Sequence, residues 1–204
     1  MGLQETSIFF QKNHYRHYYL CPYLPIGSGI DPVSRSLLKF KRGAQPDLDN
    51  WLRQTLVAFQ ETPPALPPPT VLIRALHHNE TQPHPGQPGS LDLLAQTLAT
   101  QLQLPYLPGL LLKTRQTIAN QNLTRPQREA ELQNVYQINP TALASLPATN
   151  FPADGNPTAV AIPTSLLLID DILTTGATIL AILKTLNVAF KNPTITIFTL
   201  AKVA

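Results

Sequence analysis

Apolar and polar positions alternate between two rhythms along this chain. Leu166-Leu167-Leu168-Ile169 is an uninterrupted aliphatic run. That is the pattern of a parallel strand covered on both faces, because only a one-sided sheet requires alternation. The run ends at Asp170-Asp171, and beyond Thr174-Thr175-Gly176 the residues Ala177, Ile179, Leu180, Ile182, Leu183 and Leu186 recur at helical spacing. Upstream, Asp31-Pro32 is a good helix start for 33–41. Leu48, Trp51, Leu52, Leu56 and Phe59 form one stripe of a helix beginning at Asp47. A strand is predicted over 70–76, and Ser90 caps a helix with Leu91, Leu94, Ala95, Leu98 and Leu102 on one face. A second strand spans 106–113. Thr124-Arg125-Pro126-Gln127 has the form of a capping box opening a short helix through Leu132. A short strand over 135–138, an exposed excursion over 139–164 and a final strand over 194–201 complete the pattern.

Strands alternating with helices predict an α/β fold, a doubly wound and mostly parallel sheet with right-handed crossovers. Residues 1–32 are aromatic and basic, with Phe9, Phe10, Tyr15, Tyr18, Tyr19 and Tyr23. They read as a strand or hairpin forming a small N-terminal cap or hood, with 33–204 as the α/β domain. Aromatics interleaved with basic residues also suit stacking on single-stranded bases. A packed cap is the favoured reading, since exposed aromatics rarely go unpaired.

Composition narrows the class. A chain of 204 residues is long enough for one sizeable core. Its 21 prolines gather at Pro63-Pro64, Pro67-Pro68-Pro69 and 83–88, which marks loops. Net charge is +3 with 13% charged residues, and no dense Lys/Arg stripe of the kind duplex binding needs is present. The single cysteine, Cys21, excludes an internal disulfide framework and a cysteine-based zinc site. His14, His17 and Cys21 lack a fourth ligand, so ordinary structural roles are expected. Neither a signal-peptide layout nor an apolar run long enough to span a bilayer occurs, so the expectation is a soluble, cytoplasmic protein.

The candidate chemistry lies at 166–178. A strand, a short polar loop and a helix N-terminus make an anion site, since free N–H groups and the helix dipole face the loop. Gly176 lets the chain approach a ligand, and the hydroxyls of Thr174, Thr175 and Thr178 add hydrogen bonds to a phosphate. The adjacent acids would repel that phosphate and suit neutral hydroxyls or a cation. A sugar phosphate fits both halves. The plainer alternative is a turn in which one acid caps the helix, which needs neither a second acid nor a threonine cluster.

This run resembles the ribose-phosphate-binding signature of type I phosphoribosyltransferases. The resemblance implies that Asp170 and Asp171 hold the ribose hydroxyls of 5-phosphoribosyl 1-pyrophosphate. Thr174, Thr175, Gly176, Ala177 and Thr178 would cradle the 5′-phosphate. Ligands of doubly wound sheets lie beyond the carboxyl ends of the strands, which brings the loops after Leu76 and Lys113 beside the signature. Arg74, Lys113 and Arg115 are then candidates for the pyrophosphate, with surface roles as the alternative. His77 and His78 are weaker candidates. Lys39, Lys41 and Arg42 read as a solvated face or as a contact to pyrophosphate or nucleic acid.

Leu112-Lys113-Thr114-Arg115-Gln116-Thr117, Gln121, Leu123, Arg128 and Asn134 follow the order seen in ComF/GntX-type phosphoribosyltransferases. Leu37-Leu38-Lys39-Phe40-Lys41-Arg42-Gly43 looks like that family's leucine-lysine-aromatic segment. The four-cysteine zinc module of many members has no counterpart. Gly86-Gln87-Pro88-Gly89-Ser90 stands where an arginine-glycine-aromatic-asparagine-glutamine motif is usual. The resemblance implies a pentosyl-transferring enzyme that releases pyrophosphate to an unspecified acceptor. Mg²⁺ would be its cofactor, held mainly by substrate and through water by Asp170 and Asp171. It also leaves room for a non-catalytic phosphoribosyl-pyrophosphate-binding regulator. A ComF-like accessory factor for DNA uptake in natural competence, with single-stranded DNA or competence machinery as partner, is the third reading.

Overall fold

The computed structural model describes residues 2–24, 31–84, 86–118, 123–144, 165–190 and 193–203. β1 (Gln4–Phe10) and β2 (Asn13–Tyr23) form an antiparallel hairpin. Its turn residues Gln11 and Lys12 take φ of 48° and 70°, the backbone that matches the twist of paired strands. α1 (Pro32–Lys41) begins where the Asp31 carboxylate accepts from Val33 and Ser34 N–H at 2.9 and 3.2 Å. α2 (Gln45–Glu61) and β3 (Thr70–Arg74) follow. α3 (Ser90–Leu102) starts one residue earlier than expected: Gly89 holds the cap position, and Ser90 Oγ instead donates to the Phe40 carbonyl at 2.6 Å, tying α3 to α1.

β4 (Leu111–Lys113), α4 (Arg125–Glu131), β5 (Tyr136–Ile138) and α5 (Pro140–Ala144) come next. The predicted capping box is present, with Gln127 Oε1 accepting from Thr124 N–H at 2.8 Å. β6 (Ser165–Leu173), α6 (Ala177–Ala189) and β7 (Thr194–Val203) end the chain order. Position 121 and most of the 139–164 excursion, from 145 onward, lie outside the described residues.

The α/β expectation holds. A five-stranded sheet runs β1-β2-β7-β6-β3, with every neighbouring pair parallel except the β1–β2 hairpin. Residues expected as a cap over the core therefore supply strands of the sheet itself. The reason lies in β2, whose Tyr15, His17, Tyr18, Leu20, Cys21 and Tyr23 are buried on both faces between β1 and β7. The strand expected over 106–113 is in two pieces. Tyr106 bridges Leu72 beside β3, and after the Pro108-Gly109 turn β4 pairs antiparallel with β5 in a separate ribbon.

Alternation along the strands splits the core into two layers. Val71, Ile73, Leu166, Leu168, Ile195 and Ile197 face α6 (Ile179, Ile182, Leu183, Leu186) and the β4–β5 ribbon. Leu72, Leu167, Ile169, Phe198 and Leu200 face α1, α2 and α3 through Phe40, Trp51, Phe59, Leu94 and Leu98. The continuous aliphatic run of β6 serves both layers at once, which is why it shows no polar alternation. The carboxyl ends of β3 and β6, at Arg74 and Asp170, open onto one cleft.

Candidate functional site

A cleft of about 870 Å³ lies at those strand ends, walled by the signature loop, the turn after β3, the end of α1 and the β4–β5 ribbon. Its phosphate-sized end is built by β6 running into α6. Gly176 takes φ +78° at the helix N-cap, a left-handed backbone that side-chain-bearing residues adopt at a penalty. This bend brings Thr174, Thr175, Gly176, Ala177 and Thr178 to the cleft wall, where the first-turn N–H groups of α6 have no intrahelical acceptor. These are the features an anion uses at a helix start.

The acids sit beside it. Asp170 Oδ1 accepts from the Asp171 N–H at 2.9 Å, and Asp171 Oδ1 from the Ile172 N–H at 2.7 Å. Each carboxylate thus spends one oxygen on the backbone. Asp171 Oδ2 lies 2.8 Å from Lys41 Nζ, at the end of α1. Burial opposes the Lys41 charge, but the Asp171 and Asp170 carboxylates together hold the ammonium above its ordinary range. Burial and the neighbouring Asp171 charge push the Asp170 carboxyl up to about 7. Lys41 and Lys113 pull it the other way.

The expected cations divide. Lys113 is only 5% exposed and faces the cleft. Its ammonium donates to the His77 carbonyl at 2.8 Å and weakly to Thr117 Oγ1 at 3.4 Å, above the Tyr136 ring. Burial lowers its pKa to about 8. Arg74 is 2% exposed, and its guanidinium is engaged on every side: Asp92 at 2.7 and 2.6 Å, Glu80 at 2.9 and 3.1 Å, and the Ala75 carbonyl at 2.9 Å. All its donors are used, so it braces the cleft floor with no N–H left for a ligand. Tyr106 completes that brace by donating to Asp92 at 2.6 Å. Arg115 is paired with Glu131 at 2.6 Å and is not among the residues lining the cleft.

Arg128, which the sequence reading did not select as a site residue, also reaches the cleft. It lines the cleft from α4, donating to the Leu123 carbonyl at 3.0 Å and reaching Thr174 Oγ1 at 3.4 Å. Lys41 enters the site in the same way, through its Asp171 pair. The signal available in sequence for both was position beside a matched motif, not local chemistry. His77 and His78 line the opposite wall with ring centroids 4.1 Å apart. Burial, the adjoining His77 ring and the Lys41 and Lys113 ammoniums depress the His78 pKa.

Oxygen donors of the hard kind are present at Asp170 and Asp171. Among the described residues no cluster of three or more His, Cys, Asp or Glu side chains could hold a metal by itself. That donor set fits a Mg²⁺ carried largely by substrate oxygens. No helix among the described residues is long and apolar enough to cross a membrane.

No family model matches the chain, and no curated protein matches it. Solved structures similar to it include the adenine phosphoribosyltransferase of Leishmania tarentolae, at 14% identity over 79% of this chain and 73% of that one, TM-score 0.39. The Leishmania donovani enzyme is similar at 13% identity over 81% and 68%, TM-score 0.40. The Trypanosoma brucei enzyme, in complex with AMP, pyrophosphate and ribose-5-phosphate, is similar at 10% identity over 99% and 87%, TM-score 0.42. The structural neighbours named are thus adenine phosphoribosyltransferases.

Proposed function

We propose that the cleft binds 5-phosphoribosyl 1-pyrophosphate and that the protein is a phosphoribosyltransferase. One observation carries the reading: Asp170, Asp171 and the 174–178 loop meet at one wall, and Lys113 and Arg128 reach the same cleft from other elements. In this reading the 5′-phosphate takes the N-terminal amides of α6 with the hydroxyls of Thr174, Thr175 and Thr178. The ribose hydroxyls donate to Asp170 and Asp171, displacing Lys41 from Asp171. Lys113 and Arg128 attract the diphosphate.

The reaction is then displacement at the anomeric carbon. The bond to pyrophosphate breaks with its electron pair leaving on oxygen, and a nucleophile on the acceptor forms the new bond. Positive charge develops on the sugar near the Asp170–Asp171 pair, and negative charge develops on the leaving group near Lys113 and Arg128. The protein's contribution is positioning and preorganised charge rather than a covalent intermediate. Mg²⁺, when bound, would neutralise diphosphate charge, with Asp170 and Asp171 reaching it through water.

The engagement of Arg74 and Arg115 within the chain favours a second reading, a regulator that binds the sugar diphosphate without transferring it. The ComF/GntX-like assignment and a single-stranded DNA or competence partner rest on the sequence runs alone.

Calorimetric titration with 5-phosphoribosyl 1-pyrophosphate and Mg²⁺, beside Asp170→Asn/Asp171→Asn, tests the site. Binding to the parent that falls at least about 10-fold in the double variant supports it. Equal binding by both, or by neither, overturns it. Pyrophosphate released on acceptor addition separates transferase from regulator.

A further inference from the structure

The Lys41–Asp171 pair differs from the other ion pairs at the cleft in what it leaves open. Arg74 is enclosed by Glu80 and Asp92, so those contacts are fixed parts of the floor. Lys41 and Asp171 both line the cleft, 2.8 Å apart; the lysine side chain is 39% exposed and the carboxylate 16%. Among the described residues Asp171 is the one acid within ion-pair distance of Lys41. The fold does not need this contact to hold α1. Phe40, the preceding residue, is 1% exposed, and its carbonyl accepts from Ser90 Oγ at 2.6 Å and from the Gly43 N–H at 2.8 Å. The helix end is therefore fixed, and only the flexible four-carbon stem of Lys41 is free to swing.

Two adjacent carboxylates at the end of β6 repel each other and draw a cation. Each already accepts one backbone N–H, and the Lys41 ammonium supplies the positive charge that both carboxylates act on. It takes up Asp171 Oδ2, so anything that is to use that oxygen has to displace it. Among the described residues no third His, Cys, Asp or Glu joins the pair to make a metal site. A divalent cation arriving alone therefore meets two carboxylates, one of them already neutralised, whereas a cation chelated by a diphosphate brings its own oxygens. We propose that Lys41 is an internal counterion that keeps free divalent cations off Asp170 and Asp171 and gives way to a ligand carrying cation and hydroxyls together. Once released, the ammonium is left in a cleft that holds the diphosphate's negative charge, so the exchange strands no cation. The inference rests on the sugar-diphosphate reading for the ligand that completes the exchange; the exclusion itself rests on the ion pair.

Mn²⁺ is the probe, since it takes the same oxygen ligands as Mg²⁺ and its free ion is counted by electron paramagnetic resonance. The parent, Lys41→Met, Lys39→Met and Lys41→Met/Asp171→Asn are titrated with Mn²⁺ alone, and thermal melting confirms folding. Lys39 is on the same helix but lies near Asp47, at 3.9 Å, and does not line the cleft, so its variant controls for net charge. The expected result is Mn²⁺ affinity at least about 10-fold higher in Lys41→Met than in the parent, with Lys39→Met like the parent and the gain lost in the double variant. Equal affinity in the parent and Lys41→Met, a gain matched by Lys39→Met, or a gain that survives Asp171→Asn overturns the inference. Calorimetry of the parent with 5-phosphoribosyl 1-pyrophosphate and Mg²⁺ keeps the two failures apart. Sugar-diphosphate binding without the Mn²⁺ gain defeats the counterion alone. The Mn²⁺ gain without sugar-diphosphate binding defeats the reading beneath it and upholds the exclusion.

Discussion

At the residue scale the site is a balance of buried charges, and the balance is testable by pH. Asp170 is pushed up to about 7 by burial and by Asp171, while burial brings Lys113 down to about 8. Sugar hydroxyls donate to the ionised carboxylate, and a diphosphate needs the protonated ammonium. Affinity for 5-phosphoribosyl 1-pyrophosphate should therefore rise through about 7 and fall beyond about 8. Lys41 is one of the cations that lower the Asp170 value. In Lys41→Met the acid limb should move up by roughly 1 pH unit, read by titration calorimetry from pH 5.5 to 9. An unmoved limb would mean that the 2.8 Å pair between Lys41 and Asp171 is not felt at the sugar site. The Asp170 to Thr178 loop is legible from sequence because its chemistry is contiguous. Lys41, Arg128 and Tyr136 lie on α1, α4 and β5, and only folding brings them to the same cleft. The pairing of Arg74 is hidden from the sequence for a related reason, since charge type does not reveal that Glu80 and Asp92 already hold it.

At the element scale the β6–α6 junction decides whether the anion site exists. Gly176 is at φ +78°, and a methyl added there would meet only Leu173 Cδ1 at 3.7 Å, an ordinary contact. Crowding is thus not the obstacle; the left-handed backbone is. Gly176→Ala should destabilise the fold by about 1–2 kcal/mol and weaken phosphate binding, because relaxing φ turns the first amides of α6 away from the loop. Denaturant melts together with inorganic phosphate titration measure both effects. Parent-like values in both would show that the turn tolerates the methyl without reshaping. Elements with strong apolar patterns are close to their sequence expectation: α1, α2, α3 and α6 each bury one apolar face, and β6 is buried on both. The 106–113 strand fails for a local reason: Pro108-Gly109 interrupts it, and the short apolar pieces on either side join different partners.

At the scale of the whole molecule, β2 joins the N-terminal hairpin to the parallel sheet, and its seam with β7 contains the buried His17. This position was not legible as a central strand, since aromatic and basic residues over 13–23 look like a surface hairpin until both faces are covered. Thr199 Oγ1 gives its proton to the Ala201 carbonyl at 2.9 Å, so the 2.9 Å contact to His17 Nε2 must be donated by the ring. Nδ1 then keeps its lone pair without a partner among the described residues, as a neutral imidazole. Burial, with help from the Lys202 charge, lowers the His17 pKa to about 4 from an ordinary 6.5. Between those values the unfolded chain binds more protons than the folded one. Stability is therefore full above about 6.5 and is lost as pH falls toward about 4. Asp170 acts in the opposite sense: its raised carboxyl makes the folded chain the better proton binder from about 4 to about 7. The two slopes partly cancel in the parent, so the histidine is isolated by difference. Between pH 7.5 and pH 5, His17→Gln should lose about 1–2 kcal/mol less unfolding free energy than the parent, because the amide can still donate to Thr199 but does not titrate. Chemical denaturation at the two pH values decides it: parallel losses would show that His17 does not gate the acid stability of the sheet, and a flatter response in the variant would place that sensitivity at the β2–β7 seam.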